Sequence, residues 1–594
     1  MKKTLVLWFA FVLVFCALPA MAQKIMNGPA PTGPVPEGPV SKGPILKAPA
    51  PVSTQSQACI ACHKTVTPGI VKDWLRSAHA TTTPAEALQK PPLERMFSAA
   101  APPKGLSNAA VGCYECHGQN PASHKDTFDH FGFQIHVVVT PKDCASCHPV
   151  EVSQFEKSKM SYAYSNLEDN PLFHTLVDTI IGTKEISGDG RIVIDKPSST
   201  VAGETCFGCH GMPITVKGLK KINTQMGEIE VPNLGNWPNM GVGRVNPDGS
   251  RGSCTACHPR HSFSIAVARK PYTCAQCHME PDVPAWNVYS ESKHGDIFKS
   301  EGSGWNFTHV PWRPGVDFKA PTCAACHSSL LAGPDGKVIV QRTHDFGSRL
   351  WVRLFSLIYS TPQPKSGDTT LIMNNDGLPL PVTFSGKPAS KYLIGKDEQE
   401  KRKAAMESIC NSCHSSDWTE GHFKHMDETI KAADKMTAAA TKLMEYAWQT
   451  GVADKTNPFD QKIEMDWVRQ WLFYATTVKY AAAMTGAPDY TSFKNGFWDL
   501  SYNLQKMKDE IEIAKRLKGI NMEVAPAPVP GRERVVRKRI VRREIAHKKI
   551  IRKRIIRRRI VRGRIVRKRI IRKRIVRKRI VRRKRKVVRR ETRK

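Results

Sequence analysis

Cys59 and Cys62 are followed at once by His63, and the same C-x-x-C-H spacing recurs at Cys113/Cys116/His117, Cys144/Cys147/His148 and Cys206/Cys209/His210. It returns at Cys254/Cys257/His258, Cys274/Cys277/His278, Cys323/Cys326/His327 and Cys410/Cys413/His414. Two thiols three residues apart, with an imidazole directly after the second, are the attachment chemistry of c-type haem. The sulfurs add across the two vinyl groups and the histidine reaches the iron as proximal ligand. A zinc site needs closure by four ligands and does not demand a histidine after every second cysteine. Eight repeats set the zinc and redox-dithiol readings aside. The motifs take sixteen of the 17 cysteines, leaving only Cys16. The expectation is eight covalently bound c-type haems and no structural disulfide.

A six-coordinate iron needs a second ligand, and the body offers eleven further histidines: His79, His124, His130, His136, His174, His261, His294, His309, His344, His422 and His425. The favoured distal set is His79, His124, His136, His261, His294, His309, His344 and His422. An internal repeat supports two of them. Trp74 to His79 and Tyr289 to His294 both place a histidine sixteen residues beyond a motif histidine, after an aromatic residue and a serine. In the third copy, Phe155 to Met160, a methionine stands in the ligand place. It is an axial ligand there or simple packing.

The elements that position these groups follow from their density. All eight motifs lie between residues 59 and 414, so the porphyrins themselves replace much of the side-chain core. The expected class is mainly α: a multihaem cytochrome c with little regular sheet, a haem-packed core, and three long C-terminal helices over 417–449, 459–484 and 490–518. Ala, Lys, Met and Glu dominate those three stretches. Residues 362–395, rich in Pro, Gly, Asn and Thr, read as a hairpin or loop excursion.

Charge separates the body from the tail. Of the formal +37, residues 532–594 hold 35 Lys/Arg against 3 Asp/Glu, so the body is nearly neutral and a basic folded domain is excluded. The tail repeats an apolar pair every five residues, from Val535-Val536 to Ile580-Val581. Successive pairs rotate by ~140° in a helix, so no apolar stripe forms. It reads as a disordered basic segment for an acidic redox partner or an anionic membrane surface, with no nucleic-acid role. At the other end, Lys2 and Lys3 precede an apolar run that closes on Ala20-Met21-Ala22, a cleavable secretory leader over 1–22. A Pro/Gly-rich extended linker over 23–56 follows. The organisation is then an octahaem-binding domain over 57–416, a helical bundle over 417–522, and a Pro-rich linker with the basic tail over 523–594. The location is the periplasm or an equivalent extracytoplasmic lumen.

Taken together, the eight motifs, the stretch from Cys254 to His261 (CTACHPRH), the SKHG at 292–295 and the CNSCHSSDW from Cys410 to Trp418 resemble the octahaem hydroxylamine oxidoreductase family. The C-x-x-C-K motif of related nitrite and tetrathionate reductases is absent from the sequence. The resemblance implies seven bis-histidine electron carriers and one catalytic haem, held by Cys206 and Cys209 with His210 as proximal ligand. It implies that Asp282 lines the catalytic pocket as a proton-transfer group, while Val283 replaces the family's neighbouring histidine. It also implies that Tyr490, in a turn between C-terminal helices, is the tyrosine a neighbouring subunit cross-links to the porphyrin. The C-terminal helices would build a homotrimer. The function implied is an oxidoreductase for small nitrogen compounds: hydroxylamine or hydrazine oxidation, or nitrite or nitric oxide reduction. An external cytochrome or redox complex would exchange the electrons. The alternative is a non-catalytic electron-transfer or scaffold cytochrome of the same family.

Overall fold

Helices begin where the sequence supplies a start signal. Ser53, Ser77, Thr83, Ser198, Ser264, Ser292 and Ser415 each accept a first-turn backbone N–H, and Pro68, Pro84, Pro141, Pro149, Pro171 and Pro271 open the first turn of others. Most of these helices are one to three turns long, which is what many caps and few long periodic stretches dictate. The computed structural model describes residues 48–355 and 358–519. The leader, residues 23–47 of the Pro/Gly-rich linker and the basic tail fall outside the described residues.

The chain divides into two units, residues 1–512 and 513–594. Within the first, strand structure is confined to five two-stranded antiparallel pairs, 128–130 with 133–135, 183–186 with 192–195, 215–224 with 227–235, 331–332 with 338–340, and 352–353 with 361–362. The mainly α class with little regular sheet is what the sequence anticipates; the long 215–235 hairpin is an addition to it. Residues 362–395 are an irregular excursion tied to the body, with Asn166 donating to the Gly367 carbonyl and Asn170 to that of Pro379.

Side-chain packing is densest beside the last motifs, where Tyr289, Phe298, Phe307, Trp312 and Phe318 join Met406, Ile409, Phe423 and Met426. Burying each such side chain contributes about 1.5–3 kcal/mol. Helix Ser416–Gln449 runs from this cluster. It meets a helical run from Lys462 to Ala483, widened by a π-helical stretch at Arg469–Tyr474, and helix Phe497–Leu517. Ala433, Ala475, Val478 and Leu500 fill the contact. The third helix starts at Phe497 and not at Tyr490. Pro488–Ser492 forms one separate turn, Asn495 adopts φ 55°, and a Cβ on Gly496 would sit 2.6 Å from the Tyr490 carbonyl oxygen. No helix among the described residues is long and apolar enough to cross a membrane.

Candidate haem relay and active site

Each motif occupies roughly one helical turn. The N–H of the histidine donates to the carbonyl of the first cysteine in the third, fifth, sixth and eighth motifs, at 2.8 to 3.0 Å. Positions i, i+3 and i+4 share a helix face, so both thiols and the imidazole look the same way. They look inward. A connected cavity of about 1860 Å³ is lined by all eight motif histidines and by every motif cysteine except Cys62.

Burial pushes the thiols of Cys116, Cys257 and Cys326 up to about 12, while contact with a thiol of another motif draws Cys59 and Cys209 down to about 7. Burial drives the imidazoles the other way: His117, His258 and His327 fall to about 4, which leaves them neutral with a lone pair to give. His117 donates from Nδ1 to the His136 carbonyl at 2.8 Å, and His210 donates from Nδ1 to the Ala163 carbonyl at 2.9 Å. A proton fixed on Nδ1 presents Nε2 to a metal. Directly behind His210, Gly211 takes φ 91°, and a Cβ there would lie 2.3 Å from Arg244 N. Only glycine fits that turn.

An iron bonded at about 2 Å by an imidazole on either face sets the two ring centres about 6 Å apart. Four motif histidines find such a partner without ambiguity: His63 with His130 at 6.2 Å, His148 with His79 at 6.2 Å, His258 with His344 at 6.5 Å and His414 with His294 at 6.2 Å. His117 has two neighbours, His136 at 6.1 Å and His261 at 6.4 Å. Its Nδ1 faces the backbone carbonyl of His136, which places that residue on the wrong side of the ring and leaves His261 to stand opposite Nε2. These donors fit c-type haem: neutral imidazoles at iron-bridging separation, and motif thiols on the same helix face, around one continuous cavity. The two histidines of the sixteen-residue repeat, His79 and His294, are both among them, with Trp74 and Tyr289 buried beneath.

Other candidates stand elsewhere. His130, left out of the favoured set, faces His63 from the 128–135 hairpin; no local pattern singles it out. His124 does not line the cavity but lies between Asp126 and Asp143, which corrects its reading as an iron ligand. His309 donates to Asp317 at 2.8 Å, leaving Nε2 unengaged by it, while His422 lines the cavity with Nε2 bonded to the Ala483 carbonyl at 3.2 Å. His174 pairs with Glu168 and Asp178.

Thiols of different motifs also approach one another. Hydrogen-bonding contact joins Cys59 to Cys113, Cys144 to Cys254, Cys209 to Cys277 and Cys274 to Cys323. Electrostatic proximity links Cys116 to Cys147, Cys257 to Cys274 and Cys326 to Cys410. The motifs therefore run first, second, third, fifth, sixth, seventh, eighth, and the fourth hangs from the sixth as a branch. Asp282 stands at that branch point, where its charge acts on Cys206, Cys209, His210 and His278. Val283 lines the cavity beside it, and so does Tyr480, which also feels Asp282 and which burial raises to about 12. Among the described residues His210, His278 and His327 are the motif histidines with no imidazole paired at iron-bridging distance.

Comparison with known proteins agrees with this arrangement. Residues 246–345 match the family described as seven times multi-haem cytochrome CxxCH. A solved structure titled "Hypothetical multiheme protein" is 42% identical, with TM-score 0.74 over 79% of this chain and 97% of that one. The chain belongs to the multihaem c-type cytochromes. A reducing HAO-like protein complex of Kuenenia stuttgartiensis shares the fold of this multihaem cytochrome at TM-score 0.52 and 19% identity, over 78% of this chain and 86% of that one. A protein of the same organism named as a probable nitrite reductase-hydroxylamine oxidoreductase fusion is 25% identical over 432 residues. That match takes in 69% of this chain but 40% of the fusion, so the chain spans less than half the length of that relative.

The sequence-derived cross-link candidate lies near the sixth motif. Tyr490 is 3% exposed and packs within its own chain against Val288 and Ala481, with Lys494 stacked on its ring at 4.6 Å. Tyr490 also interacts with Glu280, two residues before Asp282.

Proposed function

We propose that the chain is an octahaem c-type oxidoreductase acting on small nitrogen compounds at the centre held by Cys206, Cys209 and His210. One observation carries the reading. The fourth motif is a branch off an otherwise linear row, and Asp282 acts on its Cys206, Cys209 and His210 in the same cavity. A row suits electron relay; a branch end with a proton-bearing side chain suits catalysis. When bound there, haem supplies an iron to which a small N–O molecule bonds, with electrons arriving along the row.

This chain's own groups do the rest. His210, pinned to Ala163 through Nδ1, keeps Nε2 aimed at the cavity. Asp282 holds or releases a proton at its carboxyl oxygens. Val283 adds an apolar wall in place of a titrating imidazole, which leaves Asp282 as the acid-base group in that pair. Hydroxylamine or hydrazine oxidation and nitrite or nitric oxide reduction are the two directions of this chemistry. Export to the periplasm or a similar lumen, a homotrimer, an external cytochrome as electron partner, and a basic tail on an acidic partner or anionic membrane belong to the same proposal.

The test is electron paramagnetic resonance of the oxidised holoprotein, followed by nitric oxide or hydroxylamine binding. One high-spin centre among eight, taking up the ligand rapidly, is expected. Eight low-spin centres that ignore both ligands would replace this reading by the electron-transfer or scaffold cytochrome.

A further inference from the structure

Two cations on the cavity wall have no carboxylate of their own. Lys159 and Arg353 are part-buried and both line the cavity. The Lys159 ammonium donates to Gln363 Oε1. Gln363 Nε2 in turn donates to the Val352 carbonyl at 2.8 Å, which ties the lysine to the short strand that carries Arg353. Arg353 donates from Nε to the Phe355 carbonyl at 2.8 Å, and among the described residues its two terminal nitrogens find no protein acceptor. Neither cation has a described carboxylate at ion-pair distance. Asp345 acts on Lys159 from farther off, with its Oδ1 taken by the Gly347 N–H at 3.0 Å. Arg402, the third cation of the region, is already satisfied by Glu398 at 2.7 Å and by the Gly347 and Leu350 carbonyls at 3.0 and 3.4 Å.

Two paths through the structure bring this pair to the branch at the fourth motif. Lys159 directly precedes Met160, whose carbonyl accepts the Ala163 N–H, and the Ala163 carbonyl holds His210. From the other side, Tyr480 lines the same cavity and feels the charges of both Arg353 and Asp282. We propose that Lys159 and Arg353 form a binding site for a small planar anion with two equivalent oxygens, a carboxylate or nitrite, beside the haem of the fourth motif.

A buried charge persists only where something compensates it. Burial, and next the Arg353 guanidinium, press Lys159 down to about 7, and burial brings Arg353 to about 10. An anion bound by both favours their charged forms again. A guanidinium fork matches two oxygens on one atom, and the ammonium adds a point charge. Hydroxylamine and nitric oxide are uncharged at neutral pH and gain nothing from such a pair, so it separates anionic from neutral nitrogen species. Two sources supply the anion's chemistry: a propionate of the haem itself, and nitrite from solution. The nitrite source rests on the function proposed above; the propionate source does not.

Lys159→Met and Arg353→Gln, each studied as haem-loaded protein, test this by two readouts. One is titration of the oxidised form with sodium nitrite and, separately, with hydroxylamine; the other is potentiometric titration of the haems. Each variant stands for the other should one of them load less haem. If nitrite is the anion, its Kd rises about tenfold or more, while hydroxylamine affinity and all midpoint potentials hold. If a propionate is the anion, the midpoint potential of one haem falls, because an uncompensated carboxylate favours ferric iron, and both ligands bind as in wild type. Unchanged affinities and unchanged potentials in both variants would overturn the proposal, as would an equal loss of nitrite and hydroxylamine affinity with no potential moved. Wild-type protein that binds neither ligand overturns the proposed function alone, and the potentials then still decide this inference.

Discussion

His210 donates from Nδ1 to the carbonyl oxygen of Ala163 at 2.9 Å. Ala163 in turn donates its N–H to the Met160 carbonyl at 3.2 Å. The backbone of Met160 is therefore part of the scaffold behind His210, while the residue itself lines the cavity, and the repeat sets it where His79 and His294 stand in the other copies. Replacing Met160 by leucine, a volume-conserving change that costs under about 1.5 kcal/mol, should leave the number of low-spin haems and the ligand-binding centre unchanged. Loss of one low-spin signal would instead put the thioether on an iron.

Asp282 is the group whose loss should separate chemistry from assembly. It acts on both the fourth and sixth motifs, and Val283 supplies no second acid. Asp282→Asn keeps the shape and removes the proton. General acid-base catalysis contributes about 10²- to 10⁴-fold, so turnover of nitrite or hydroxylamine with a one-electron carrier should fall by that order at unchanged haem content. A fall below threefold would take Asp282 out of the reaction.

The imidazole pairs make a spectroscopic prediction. His130→Gly and His344→Gly each remove the ring facing His63 or His258. Each should convert one low-spin centre to high spin, read by electron paramagnetic resonance. His174→Gly is the control, since His174 lies between two carboxylates away from the cavity, and it should convert none.

The attachment chemistry was legible because it is local: two thiols and an imidazole within five residues announce themselves wherever the chain goes. Helix positions at the C-terminus were legible for the same reason, through composition. What the spacing could not carry was pairing across distance. His63 meets His130 and His258 meets His344 only because the fold closes around the cavity, and His124 looks as good a ligand as His130 until Asp126 and Asp143 are seen to flank it. Tyr490 makes a related point. Its turn was visible, but which way the ring points depends on the apolar seat that Val288 and Ala481 provide from other parts of the chain.

Glu464 ties stability to pH. Its side chain is fully buried, takes the indole N–H of Trp448 at 2.7 Å, and is raised from 4.5 to about 7, burial being the largest cause. The unfolded chain releases this proton near the ordinary value, so between about 4.5 and 7 the folded state binds more protons than the unfolded one. Stability from this group is full below 4.5 and is lost as pH rises through about 7. The shift corresponds to roughly 3 kcal/mol between acid and mildly alkaline solution. Glu464→Gln keeps an oxygen for the Trp448 N–H and removes the titration. Thermal unfolding of the haem-loaded protein should thus show the variant and wild type closest at pH 4–5 and the variant gaining several degrees in Tm by pH 8. A difference that stays flat across this range would mean that Glu464 is already ionised in its buried place, held by the Gln461 N–H that it accepts at 3.1 Å.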